Sequence, residues 1–252
     1  MKINPSNQLE LLIHGNILKN FIFLYQEEKL PNKILLKGQK GIGKSTLAYH
    51  LINFVLSKNE DFPYDIDHFK IDEKNRSFKL INNGSSPNFF LIDIQADKKN
   101  INIDQIRNII QDLKKSSLNN KPKFVLIDNS EYLNKNSINV LLKEIEEPND
   151  NIYFILIQNQ KTLLSTLTSR FIKFNINLTN KESNLVINKL INEDIHDLVN
   201  GDFINYYFSP GNMYKILDFC DENKIDLKNI GLKDFANILI QNNHIKKQTD
   251  IK

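Results

Sequence analysis

Tryptophan is missing from the 252 residues, cysteine occurs once and methionine twice. The lone Cys220 excludes an internal disulfide and any zinc site built from several cysteines, and it suits a cytoplasmic setting. Long apolar runs are absent too: none approaches the roughly 20 residues needed to span a bilayer. The stretch MKINPSNQLELLIHG has no basic region followed by an apolar segment and a small-residue cleavage site. Neither sign of charge dominates, since 33 Lys+Arg against 30 Asp+Glu leave +3, too little for a protein that coats DNA, although a local basic face remains compatible. The 40% hydrophobic and 25% charged fractions are those of an ordinary globular chain, here long enough for one large domain with smaller appendages. Lysine, asparagine and isoleucine are plentiful throughout, the bias of an AT-rich genome, so scattered Lys and Asn carry little individual weight.

Hydrophobic periodicity divides the chain into two regimes. Up to about residue 178, short apolar runs alternate with helical patterns. The runs are KILLK (Lys33–Lys37), FFLIDI (Phe89–Ile94), KFVLID (Lys123–Asp128), IYFILI (Ile152–Ile157) and Phe171–Ile176. Between them, Leu47, Leu51 and Val55 mark one helix face, Ile106, Ile109, Ile110 and Leu113 a second, and Ile138, Leu141, Leu142 and Ile145 a third, stopped by Pro148. Strands separated by helices imply parallel crossovers and a helix-covered α/β sheet. Residues 57–88 are polar and read as an irregular insertion. From Thr179 the pattern turns purely helical, with Thr179 and Glu182 placed as a capping box and Leu185, Val186, Leu190 and Ile191 as the apolar face. The expected domains are 1–178, an α/β domain; 179–211, a small helical lid; and 212–252, a short helical segment with a frayed end.

The strongest chemical signal is Gly38–Gln39–Lys40–Gly41–Ile42–Gly43–Lys44–Ser45, a complete G-x-x-x-x-G-K-S between a strand and an amphipathic helix. Glycines let the backbone wrap phosphates with its N–H groups inward. Lys44 supplies charge to the β- and γ-phosphates, Ser45 a hydroxyl for Mg²⁺, and the helix its N-terminus. Asp128 then ends an apolar strand, where a carboxylate orders Mg²⁺. The following residue is Asn129, which hydrogen-bonds a water but cannot accept its proton. Glu131, three residues beyond Asp128, is expected to point elsewhere. Taken singly, the acidic run Glu144–Glu147 reads as a solvated helix face, Arg170 as a surface salt-bridge partner, and Lys98, Lys99, Lys114 and Lys115 as a solvated face rather than a phosphate track.

Their order along the chain carries more. The P-loop, then LID, LLKEIEEP, FILIQN and TSRF resemble the clamp-loader branch of the AAA+ ATPases. GQKGIGKSTLAYHLINFVL, His14–Gly15 and NGSSPNFFLI resemble its delta-prime type, a subunit of the bacterial DNA polymerase III clamp loader. Residues 57–88 lack the cysteine zinc knuckle of the loader's motor subunits. The resemblance covers about residues 8–220. It implies an AAA+ P-loop domain followed by a helical lid and a collar, with ATP and Mg²⁺ as cofactors. Gly38, Gly41, Gly43, Lys44, Ser45 and Thr46 fall in its Walker A loop, Asp128 at its Walker B aspartate, and Asn159 at sensor 1. Arg170 falls at the arginine finger that enters a neighbour's ATP site, and Ser209–Pro210–Gly211 at the loop opening the third domain. Implied partners are the other clamp-loader subunits, of motor and delta types, the sliding clamp, and primed DNA through the assembly, with no membrane.

The departures shape the expectation further. Asn129 replaces the catalytic glutamate, Phe171 a usual cysteine, and no arginine follows Gly211. Residues 212–252 are expected to form only a truncated collar. The preferred expectation is a stator that binds ATP, hydrolyses it poorly and lends Arg170 to an adjacent motor subunit. The alternative is a self-sufficient AAA+ ATPase motor with Glu131 or another carboxylate as base. A P-loop kinase would need substrate-binding arginines in the lid, and no arginine occurs after Arg170. Polymerase chemistry is not expected, because no paired-carboxylate metal site appears beyond Asp128.

Overall fold

The computed structural model describes residues 3–95, 98–115, 119–146, 151–159 and 161–241. The chain falls into two compact units, one of Asn4–Gly38 and Lys44–Ile176, the other of Met1–Ile3, Gln39–Gly43 and Asn177–Lys252. Among the described residues no helix is long and apolar enough to cross a membrane.

The first unit is built on five strands, β1 (Lys33–Lys37), β2 (Phe89–Ile92), β3 (Lys123–Ile127), β4 (Ile152–Gln158) and β5 (Ile172–Asn175), in the order β2-β3-β4-β1-β5. Every pairing is parallel. Helices α1 (Gly15–Gln26), α2 (Lys44–Ser57), α3 (Arg76–Asn82), α4 (Ile103–Lys114), α5 (Lys135–Glu146) and the single turn α6 (Ser165–Thr168) connect or cover them. β3 is buried along its whole length, as its unbroken apolar run requires. Leu35, Val125, Ile127, Phe154 and Leu156 form one core with Ile106 and Leu113 of α4 and Ile138, Leu141 and Ile145 of α5. Alternation turns Ile34, Leu36, Phe124, Leu126 and Ile155 to the other face. There Tyr153 stacks on Phe124 and meets Tyr25 of α1, and Phe21 meets Phe174 edge-on at 4.8 Å.

The stretch 57–88 departs from the expected irregular insertion. It contains α3 and the paired Asp65 and Lys70, and it buries Tyr64, Ile71 and Ile81. Polar side chains hold it. Asn75 caps α3 and accepts from Asn53 Nδ2 at 3.1 Å, and Glu60 accepts from Ser77 Oγ at 2.6 Å and Lys121 Nζ at 3.0 Å. His50 in α2 is fully buried between the Tyr64 hydroxyl, 2.8 Å from Nδ1, and the Gln8 carbonyl, 3.1 Å from Nε2.

The second unit contains α7 (Asn180–Ile191), α8 (Ile195–Leu198), α9 (Gly201–Asn205), α10 (Pro210–Asn223) and α11 (Leu232–Gln241). The capping box forms: Thr179 N donates to Glu182 Oε2 at 2.8 Å and Glu182 N to Thr179 Oγ1 at 3.2 Å. The inward face of α7 is Ser183, Val186 and Ile187, whereas Leu185 is 56% exposed, one step away from the expected stripe. Ile187, Ile195, Phe203, Met213, Phe219 and Leu239 share one core. The division expected at 211/212 therefore falls inside this unit, in the first turn of α10, and residues 242–252 lie outside the described residues.

Burial holds His50 neutral down to about pH 4, against an ordinary 6.5, with the Gln8 hydrogen bond opposing. The unfolded chain takes up this proton below about 6.5 and the folded chain does not. Stability from this residue is thus complete above pH 6.5 and falls as pH drops towards 4, by about 3 kcal/mol in all. Urea unfolding from pH 7.5 to 4 measures it, and the excess loss relative to His50→Gln is the expected signature. Parallel curves for the two chains would remove His50 as its source.

Candidate nucleotide site

Parallel register brings four strand ends together. Ile92 pairs with Ile127, Ile127 with Leu156, and Lys37 with Gln158. The residues that follow, Gly38 after β1, Asp93 after β2, Asp128 after β3 and Asn159 after β4, therefore emerge along one edge. The carboxyl edge of such a sheet is where ligands bind in open α/β folds. Asp128 N bonds Ile92 O at 2.9 Å and Gly38 N bonds Gln158 O at 3.3 Å, which fixes neighbouring ends to each other.

Between Gly38 and α2 the chain turns through Gly41 at φ +84° and Gly43 at φ +89°, left-handed conformations that suit glycine. Lys44, first in α2, is 3% exposed. Its Nζ donates to Gly38 O at 3.0 Å and to Asn159 Oδ1 at 2.9 Å. Burial lowers its pKa to about 8, against the opposing charges of Asp128 and Glu131. Ser45 Oγ donates to Asp128 Oδ2 at 2.6 Å. Burial raises the Asp128 pKa, the Ser45 bond opposes, and the charge of Asp93 adds to the rise. A desolvated carboxylate paired with a hydroxyl is a fitting pair of Mg²⁺ ligands. Among the described residues no group of three or more His, Cys, Asp or Glu could hold a metal ion, so Mg²⁺ there would draw its remaining ligands from phosphate and water.

Asn129 adopts φ +49° and opens a 3-10 turn over Ser130–Tyr132. This reverses the backbone so that its side chain lies along the strand ends: Nδ2 donates to Asp93 Oδ1 at 2.8 Å and Oδ1 accepts from Asn159 Nδ2 at 3.0 Å. The same turn corrects the expectation for Glu131, whose Oε2 accepts from Asn159 N at 3.2 Å. Glu131 thus faces the site. Asp93 escaped the sequence reading altogether, although FFLID ends in a carboxylate just as KFVLID does.

Thr46 lies in the first turn of α2, and no contact of its side chain enters the site's hydrogen bonds described above. Arg170 stands apart from this cluster. It follows α6, its Nε and Nη2 donate to Glu146 Oε1, the former at 2.9 Å, and its Nη1 donates to Thr166 O at 2.6 Å. Glu147 and Pro148 of the LLKEIEEP run lie outside the described residues. Ser209 is the N-cap of α10 rather than the opening of a separate domain. Within the second unit Gly211 N donates to Gly41 O at 2.8 Å, and a Cβ on Gly211 would lie 2.9 Å from Gly41 Cα, so only glycine fits this backbone approach. Asn212 follows in place of an arginine.

Residues 13–180 match the family described as "DNA polymerase III, delta subunit". The "DNA polymerase III subunit delta'" of Pseudomonas aeruginosa is 30% identical over 140 residues, 55% of this chain and 41% of the relative. The subunit of the same name from Buchnera aphidicola subsp. Baizongia pistaciae is 30% identical over 173 residues, 66% of this chain and 50% of the relative. The chain thus spans about half the length of the curated relatives it matches. The Thermotoga maritima RuvB Holliday junction branch migration motor superposes with a TM-score of 0.50 at 18% identity, covering 90% of this chain and 70% of that one. That likeness concerns the fold alone, a parallel α/β sheet of the AAA+ type.

The buried ammonium should destabilise the chain in the absence of nucleotide. Lys44→Met is expected to melt at the same or a higher temperature than the parent while losing any shift produced by MgATP. A melting temperature lowered by more than about 4 °C would mean that the two hydrogen bonds outweigh the desolvation.

Proposed function

The chain belongs to the DNA polymerase III delta subunit family, in its delta-prime type, and from that premise we propose that it is a clamp-loader stator that binds ATP with Mg²⁺ but hydrolyses it poorly. The observation that carries this is Asn129. It stands beside Asp128 at the strand end, and its amide is engaged by Asp93 and Asn159. An amide orients a water without taking its proton. Binding and hydrolysis therefore separate. Gly38, Gly41, Gly43, Lys44, Ser45 and Thr46 would cradle the phosphates, and Ser45 with Asp128 would hold Mg²⁺, which supplies charge neutralisation. Asn159 would face the terminal phosphate.

In this reading Arg170 acts on a neighbour. Its ion pair with Glu146 is solvent-exposed, with side chains 37% and 53% accessible, and exposed pairs are weak. Glu146 thus holds the guanidinium in a defined pose at little cost to its release. At an adjacent ATP site Arg170 would stabilise charge on the transferred phosphoryl group. The partners in this reading are motor and delta-type clamp-loader subunits, the sliding clamp, and primed DNA reached through the assembly. The work belongs to replication in the cytoplasm. Glu131 beside Asn159 keeps a second reading in view, a self-sufficient motor with Glu131 as base.

Steady-state ATP hydrolysis by the isolated chain, and by a reconstituted loader with Arg170 or Arg170→Ala, decides between them. The expected result is a silent isolated chain and a loader slowed about 10³-fold at the site Arg170 serves, the lower end for a missing arginine finger. Turnover by the isolated chain that is lost in Glu131→Gln would establish the motor instead. Unchanged loader turnover with Arg170→Ala would remove the trans role.

A further inference from the structure

Asp93 lies at the end of β2, and three contacts fix it in place. Its Oδ1 accepts from Ile94 N at 2.7 Å and from Asn129 Nδ2 at 2.8 Å. Its carbonyl accepts from Gln105 Nε2 at 2.9 Å, and Gln105 Oε1 in turn accepts from Asn102 N at the start of α4. From this anchor a single line of hydrogen bonds runs to the P-loop lysine: Lys44 Nζ to Asn159 Oδ1 at 2.9 Å, Asn159 Nδ2 to Asn129 Oδ1 at 3.0 Å, Asn129 Nδ2 to Asp93 Oδ1 at 2.8 Å.

The line has one direction. An ammonium only donates and a carboxylate only accepts, while each amide carries one group of either kind. With Lys44 at one end and Asp93 at the other, both amides are forced into one orientation. Turning Asn129 over would set its oxygen against the Asp93 carboxylate and its amino group against that of Asn159. Asp93 therefore reinforces from the far end, across two intervening side chains, the orientation in which Asn159 shows its oxygen to Lys44. Donor-to-acceptor chains of this kind polarise each link, most strongly with a charge at either end.

We propose that Asp93 is a positioning residue of the nucleotide site, which acts through Asn129 and Asn159 to hold the Lys44 ammonium where phosphate meets it. The proposal rests on the nucleotide-binding reading given above. Without the carboxylate, the Asn129 amide loses the acceptor that anchors the line, Asn159 is held less firmly, and Lys44 faces a less fixed acceptor beside Gly38. Asp93→Asn keeps an acceptor oxygen for Asn129 and preserves the line, while Asp93→Ala and Asn129→Ala break it at different links. The same line explains why this site suits an amide at 129: a carboxylate there would stand at hydrogen-bond distance from Asp93 with no proton between them.

The test is titration of the full chain with a fluorescent ATP analogue and Mg²⁺, with far-UV circular dichroism to verify folding. Asp93→Ala and Asn129→Ala are each expected to weaken binding about tenfold, the value of one hydrogen bond to a charged group, and Asp93→Asn no more than about threefold. In a cycle with Asn159→Ala, adding Asp93→Ala should cost nothing further, because the line is already cut. Parent-like affinity of a folded Asp93→Ala chain, or losses that multiply independently in the cycle, would overturn the proposal. An unmutated chain that fails to bind the analogue would instead overturn the nucleotide reading, and the role of Asp93 with it.

Discussion

Parallel pairing of β1 to β4 is the constraint from which the site follows. Because the strand ends Ile92, Ile127, Gln158 and Lys37 lie within two register positions of one another across neighbouring strands, the residues that follow them emerge together on one edge. Nothing else in the first unit would bring Gly38, Asp93, Asp128 and Asn159 within hydrogen-bonding reach, for they are separated by tens of residues. The aromatic contacts of α1 and the aliphatic core under α4 and α5 serve the same end, covering both faces so that the strands remain buried and in register. A slip of one residue in any strand would turn the line of polar side chains onto the wrong face.

On that edge the energetic problem is one of charge in a place water barely reaches. Lys44 is almost completely buried, and its pKa falls to about 8 although Asp128 and Glu131 favour the cation. Asp128 is desolvated as well and its pKa rises. The two shifts have the same meaning. Each group is held in an environment that disfavours its charge, and such perturbation clusters at functional sites. A nucleotide phosphate with Mg²⁺ would satisfy both, supplying anion to Lys44 and cation to Asp128.

Much of the fold was legible because parallel strands announce themselves as unbroken apolar runs between helical patterns, and all five runs became strands. The Walker-type glycines were legible because their conformational demand leaves few alternatives. What escaped depended on polar side chains at a distance. Residues 57–88 looked irregular since their order comes from Asn53 with Asn75, Glu60 with Ser77 and Lys121, and His50 with Tyr64. No periodicity marks such contacts. Glu131 was misplaced because spacing along an ideal strand was assumed where Asn129 takes a left-handed turn. The helical core that α7 shares with α10 and α11 was hidden by the Ser-Pro-Gly sequence, which reads equally well as a linker or as the cap and first turn of α10.

The left-handed turn at Asn129 links these points. A non-glycine residue at φ +49° is tolerated best when it is asparagine or aspartate, whose short polar side chains bond locally. Aspartate at that position would face Asp93 and repel it; glutamate would add the same repulsion to a less favourable backbone. Asparagine satisfies the backbone, the neighbouring carboxylate and Asn159 at once. Asn129, whose amide cannot take a proton from water, is therefore also the residue that the surrounding geometry favours. Placing a carboxylate at position 129 would require a change at Asp93 as well, since the two side chains share one hydrogen bond.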